Sequence, residues 1–251
     1  MRSKFELEAK LLVAVKHVNI VKVQAVNFDT LPHFIVLELL KGDLKSYLED
    51  GAVTVTPSDM VGCITQIADA MAYLETRRVI HRDLAARCTA YEPHACFCSE
   101  RCQCRNVLVG FQGLSVVKLN DLGLSRSLST SAYYKKTGRE LLPVKWMSVE
   151  ALLDRKYSSA SDVWAFGVLC WEVFSRGDEP YSDMTAQDAA MAVLQGHRLE
   201  RPEACPENLC AHLVSQRRHA LICALQVCVA AAVLAGASGA ATDVQWAAAE
   251  V

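Results

Sequence analysis

His81-Arg82-Asp83-Leu84-Ala85-Ala86-Arg87 and Asp121-Leu122-Gly123 are the stretches of this chain whose residue types and order can carry chemistry. Each is weak alone. A His-Arg-Asp run serves equally as a capping turn, and Asp-x-Gly marks ordinary turns as readily as metal sites. A third stretch holds Cys88, His94, Cys96, Cys98, Cys102 and Cys104. Thiolates at such close spacing can converge on a tetrahedral zinc ion. The C-x-C pairs lack the usual finger spacing and any outer shell, so an oxidation-prone solvent loop is the preferred reading.

The elements around these stretches must position them. Phe5, Ala9, Leu12 and Val13 recur at helical spacing, so the chain opens on an amphipathic helix. Residues 20–26 and 34–39 predict two antiparallel strands about a turn-rich break from Asn27 to Pro32, and Gly42 ends the strand pattern. Thr56-Pro57 caps a long helix with the apolar stripe Val61, Ile64, Ala68, Met71 and Leu74, which leads straight to His81. Residues 107–109 and 116–119 predict a hairpin, and residues 163–174 are too apolar for a surface helix, which predicts a buried central one.

In that setting of helix, His81-Arg82-Asp83, hairpin and Asp121-Leu122-Gly123, the chain resembles protein kinases, with their catalytic loop H-R-D-L-x-x-x-x-N and D-F-G motif. Ala85-Ala86-Arg87 resembles the tyrosine-kinase version of the loop. Pro143-Val144-Lys145-Trp146-Met147 is similar to the segment that holds the substrate tyrosine, and Ser148-Val149-Glu150 stands in the A-P-E position. Ser161-Asp162-Val163-Trp164-Ala165-Phe166-Gly167-Val168 resembles the start of the family's central helix. Gly177-Asp178-Glu179-Pro180-Tyr181 and Arg201-Pro202 continue the pattern. The likeness, to receptor-type tyrosine kinases, covers residues 5–87 and 106 to about 209.

The resemblance implies an α+β, two-lobed protein kinase-like fold with a mostly helical large lobe, and transfer of the ATP γ-phosphoryl group to protein tyrosine. It assigns Asp83 as the base that accepts or orients the hydroxyl proton, Arg87 to the substrate side, and Asn106 and Asp121 to magnesium. Glu38, Leu39 and Leu40, with Leu37, would border the adenine. Glu8, His81, Arg82, Glu150 and Asp162 become supporting residues, Asp162 by fixing the catalytic-loop backbone. Tyr133 and Tyr134 fall where activation-loop tyrosines are phosphorylated, and a phosphate there would pair with Arg82 and neighbouring cations.

Three departures accompany the match. No glycine-rich loop and no V-A-I-K strand precede Phe5, so the small lobe reads as truncated and Glu8 lacks the lysine it should pair with. Residues 88–105 separate Arg87 from Asn106, as an insert whose loop-closure cost is on the order of 2 to 3 kcal/mol. The closing helices of the family are missing after Leu209, which leaves Glu150 without its expected arginine. The expected organisation is therefore a partial kinase domain over residues 1–209, with 1–40 the small-lobe remnant and 41–209 the large lobe, followed by an Ala-rich tail at 210–251. Impaired catalysis is expected of this chain, and a non-catalytic pseudokinase scaffold is the alternative.

Composition agrees with these expectations. The chain has 251 residues, 52% of them hydrophobic, enough for a sizeable core. A formal net charge of -2 gives no basic footprint for nucleic acid. Eleven cysteines, five of them in the short stretch from Cys88 to Cys104, form no domain-wide disulfide framework, and the first residues lack a secretory signal. Residues 220–237 approach membrane-span length but carry Gln226 and are rich in Ala, so a replacement helix or tail is preferred to a span. The expected place is the cytoplasmic side, with protein tyrosine substrates, and with membrane association only through a parent receptor at the plasma membrane or, less favoured, the tail.

Overall fold

The computed structural model describes residues 9–81, 106–120 and 143–206, and the backbone alone of residues 126–127 and 134–135. Residues 9–14 are helical (α1) and bury Ala9 and Leu12 as the apolar spacing predicts, whereas Val13, expected on the same stripe, lies on the exposed side. Strands β1 (Val23–Asn27) and β2 (Phe34–Leu37) pair antiparallel. Their connection is closed by the Asn27 side-chain amide, which donates to the carbonyls of Thr30 and Pro32.

β1 begins three residues later than the apolar run predicts. Ile20 and Val21 are committed elsewhere: Ile20 bridges in parallel to Leu119, and Val21 N–H donates to the Leu119 carbonyl at 2.8 Å. Apolar β-branched residues read alike in either role, so the run carries no mark of the switch. The second strand ends at Leu37, and Gly42 opens a further strand instead of only closing the pattern. β3 (Gly42–Asp43) pairs with β5 (Val107–Gly110), which pairs with β6 (Gly113–Leu119) in the order β3-β5-β6. The β5–β6 turn requires glycine at 113, where φ is +70° and an added Cβ would lie 2.5 Å from the Tyr47 hydroxyl.

Helix α2 (Leu44–Glu49) starts on Asp43, whose carboxylate accepts the Ser46 N–H. Helix α3 (Pro57–Thr76) has the predicted cap, completed by a reciprocal Thr56–Asp59 capping box. Bonds from Thr56 hold the Asp59 carboxyl below the ordinary carboxylate range. The α3 stripe packs against α5 (Ser159–Phe174), which is buried along most of its length, as its apolar run predicts. Ile64 and Leu169 are fully buried in that shared core, each stabilising the fold by about 2 kcal/mol.

The remaining elements are β4 (Val79–Ile80), β7 (Arg126–Ser127), β8 (Tyr134–Lys135), a 3-10 turn (Val144–Trp146), α4 (Val149–Asp154), β9 (Lys156–Tyr157) and α6 (Ala186–Leu194). β4 pairs with β7, and β8 with β9. A small β1–β2 sheet with α1 thus stands beside a larger, mostly helical body, the α+β arrangement expected. Among the described residues no helix is long and apolar enough to cross a membrane. The boundary near Leu209, the Ala-rich tail and residues 88–105 lie outside the described residues.

Candidate active site

α3 delivers the chain through β4 to His81, which is fully buried. Its backbone N–H donates to Asp162 Oδ2 at 2.6 Å, and its Nε2 lies 3.2 Å from the Asn120 carbonyl oxygen. Asp162 is itself buried, in the first turn of α5. A carboxylate accepting a backbone N–H in a dry interior is a strong, directional tie. It anchors the start of the His81-Arg82-Asp83 run on the central helix.

Asn120 joins this anchor to the hairpin. Its N–H donates to the Asn106 carbonyl at 2.9 Å, and Asn106 is buried at the entrance to β5. His81 and Asn106, the residues that flank positions 82–105, therefore both bond the backbone of Asn120. Asp121 follows Asn120 in sequence. On the far side of Asp121, Arg126 pairs with Ile80, the neighbour of His81. Asp83, Asp121, Arg82, Arg87, Glu8 and Tyr133 lie outside the described residues, as does the cysteine stretch. Tyr134 is described by its backbone alone, opposite Tyr157 in the β8–β9 pair.

Glu38, Leu39 and Leu40 occupy the crossing from β2 to β3. Glu38 N–H donates to the Lys22 carbonyl, while its carboxylate accepts the Lys22 N–H at 2.7 Å and pairs with Lys118 Nζ at 2.6 Å. Three residues on, Lys41 N–H donates to the Val109 carbonyl. The crossing is pinned at both ends, and Leu39 between them is 82% exposed.

The segment of residues 143–147 is fixed through Lys145 and Trp146. Lys145 Nζ donates to Glu179 at 3.0 Å and to the Tyr181 carbonyl at 2.7 Å. Trp146 Nε1 donates to Glu172 Oε2 at 2.8 Å, and Glu172 is fully buried on α5. Burial pushes the Tyr181 hydroxyl up, with Arg198 pulling it the other way. Glu150 is half-buried in the first turn of α4, so the penalty expected for a buried carboxylate falls on a partly solvated one.

Sequence reasoning missed Lys118, Glu172 and the backbone of Asn120. Glu172 left one signal, as the single acid inside the apolar run of residues 163–174. Lys118 left none, because its partner is 80 residues away.

Asn106 and Asp121, which the resemblance assigns to magnesium, are residue types with the hard oxygens that this ion takes alongside substrate phosphates, and Asp121 lies outside the described residues. Among the described residues no group of three or more His, Cys, Asp or Glu is placed to hold a metal.

A family profile described as protein tyrosine and serine/threonine kinase matches residues 1–219. Protein sevenless of Drosophila virilis is 36% identical over 219 residues, covering 82% of this chain and 8% of that protein. The high affinity nerve growth factor receptor of Mus musculus is 36% identical over 225 residues, covering 84% of this chain and 26% of the receptor. The tyrosine-protein kinase transforming protein ros of UR2 avian sarcoma virus is 37% identical over 216 residues, covering 83% of this chain and 50% of that protein. This chain thus spans half or less of the length of these relatives. With these likenesses added to the His81–Asp162–Asn120–Asn106 frame, the chain belongs to the protein tyrosine kinase family.

Proposed function

We propose that this domain transfers the γ-phosphoryl group of ATP to tyrosine side chains of proteins. The observation that carries the reading is the convergence of His81 and Asn106 on Asn120, with His81 locked to Asp162. That convergence brings together the sequence neighbours of Asp83 and Asp121. In this reading Asp83 accepts or orients the proton of the tyrosine hydroxyl, and Arg87 holds the substrate side. Asn106 and Asp121 supply the oxygens for magnesium, which neutralises phosphate charge when bound. Glu38, Leu39 and Leu40 border the adenine; the Glu38 N–H donates to the Lys22 carbonyl, and its carboxylate accepts from the Lys22 N–H and pairs with Lys118. Lys145 and Trp146 set the floor for the peptide.

The domain reads as residues 1–209 with a separate tail, and Tyr133 and Tyr134 as its own phosphorylation sites. Likeness to receptors supports a place on the cytoplasmic side of a membrane-bound parent. The test is phosphorylation of a tyrosine peptide by the chain extended before Phe5 with a glycine-rich loop and V-A-I-K strand. Asp83→Asn should lower turnover at least ~100-fold. Stabilisation by magnesium–ATP with no turnover in the extended protein would favour the scaffold reading instead.

A further inference from the structure

A small cavity lies beneath the substrate-holding segment, and one of the residues lining it carries a buried hydroxyl that makes no bond. Its volume is about 10 Å3, and its lining includes Trp146, Met147, Ser148, Tyr157, Ser161 and Asp162. Ser148 is 1% exposed, and its Oγ has no hydrogen-bond partner in the protein. A serine just ahead of a helix ordinarily gives this oxygen to an N–H of the first turn. Ser148 precedes α4 and makes no such bond, although its backbone carbonyl accepts the Leu152 N–H. The hydroxyl therefore neither caps the helix nor reaches bulk solvent.

Buried hydroxyls are nearly always satisfied, by protein or by ordered water, because desolvating one without a partner is unfavourable. Two features favour water here. The cavity volume is on the order of what one water requires, and a held water needs two to four polar partners, roughly the polar share of this lining. We infer that the cavity between the substrate-holding segment, α4 and α5 is a binding site for a single buried water that bonds Ser148 Oγ. The water links the residue that follows Met147 to the first turn of α5, where Asp162 holds His81. Peptide floor and catalytic-loop anchor then share one solvent molecule. Ser148 stands where the A-P-E pattern has alanine, which has no hydroxyl to offer, so the site comes from a departure of this chain.

Crystallography of the full chain, at a resolution that shows ordered solvent, tests this together with thermal denaturation of Ser148→Ala and Ser148→Thr. The expected result is a solvent peak roughly 3 Å from Ser148 Oγ, absent in Ser148→Ala and kept in Ser148→Thr. Tm should fall by about 3 °C in Ser148→Ala, because the remaining partners of the water lose it. A dry cavity, with Tm unchanged or raised on removal of an unsatisfied hydroxyl, would overturn the inference. So would a peak that persists in Ser148→Ala. None of these readouts involves activity, so the water site stands or falls apart from the proposed phosphoryl transfer.

Discussion

Lys118 Nζ sits 2.6 Å from Glu38 Oε1, joining the strand that leads to Asp121 to the crossing from β2 to β3. Both side chains are largely screened from solvent, which lifts the pair above an ordinary surface ion pair. Lys118→Met and Glu38→Gln should each lower stability, and a double-mutant cycle on urea denaturation should give a coupling of about 1 kcal/mol. A coupling indistinguishable from zero would mean that the contact orders nothing.

Asp162→Ala should be among the most damaging single changes in this chain. It removes the acceptor of the N–H of fully buried His81 and with it the tie between α5 and the start of the His81-Arg82-Asp83 run. The expected loss is about 3 kcal/mol, read from urea denaturation midpoints. Asp162→Asn keeps an acceptor oxygen and should cost less. Equal losses for the two variants would show that charge, not the bond to His81, is what matters there.

Much of this frame is legible in the sequence, for a physical reason. Thr56, Pro57 and the α3 stripe act within one helix, so spacing alone reveals them, and the α5 run is too apolar to face water. His81, Asp162 and Asn106 were legible only through motif resemblance. Contacts that join distant segments left no periodic trace: Lys118 with Glu38, Trp146 with Glu172, and Ile20 leaving its strand for Leu119. The idle hydroxyl of Ser148 was invisible too, because any serine ahead of a helix reads as a cap.

Cys63 gives a pH signature. Full burial pushes its thiol up to about 12, and burial raises Cys170 in the same direction. An unfolded thiol ionises near 9, so above that pH the unfolded chain sheds a proton that the folded chain keeps. Stability is then intact below about 9 and falls as pH rises toward 12, by about 1.4 kcal/mol per pH unit for one such group. Denaturation midpoints of Cys63→Ala against the parent chain between pH 8 and 10.5 check this. The parent should fall more steeply, and parallel curves would count against a thiol kept neutral by burial.

Excising residues 88–105 tests how the flanks of that stretch are held. His81 Nε2 and the Asn106 carbonyl both meet the backbone of Asn120, and β5 is fixed independently by pairing with β3 and β6. None of these contacts runs through residues 82–105. Removing the 18 residues shortens the connection between His81 and Asn106 from 24 residues to 6. Loop-closure entropy then favours the shorter chain by about 1 kcal/mol. The excised chain should fold with the His81–Asn120 and Asn120–Asn106 bonds kept and with Tm equal to the parent's or a few degrees above it. With the upper-lobe strands supplied, it should also phosphorylate a tyrosine peptide faster than the unexcised form. A Tm lowered by several degrees would show that residues 88–105 contribute contacts to the fold. Unchanged turnover with a sound fold would mean that residues 88–105 do not limit phosphoryl transfer.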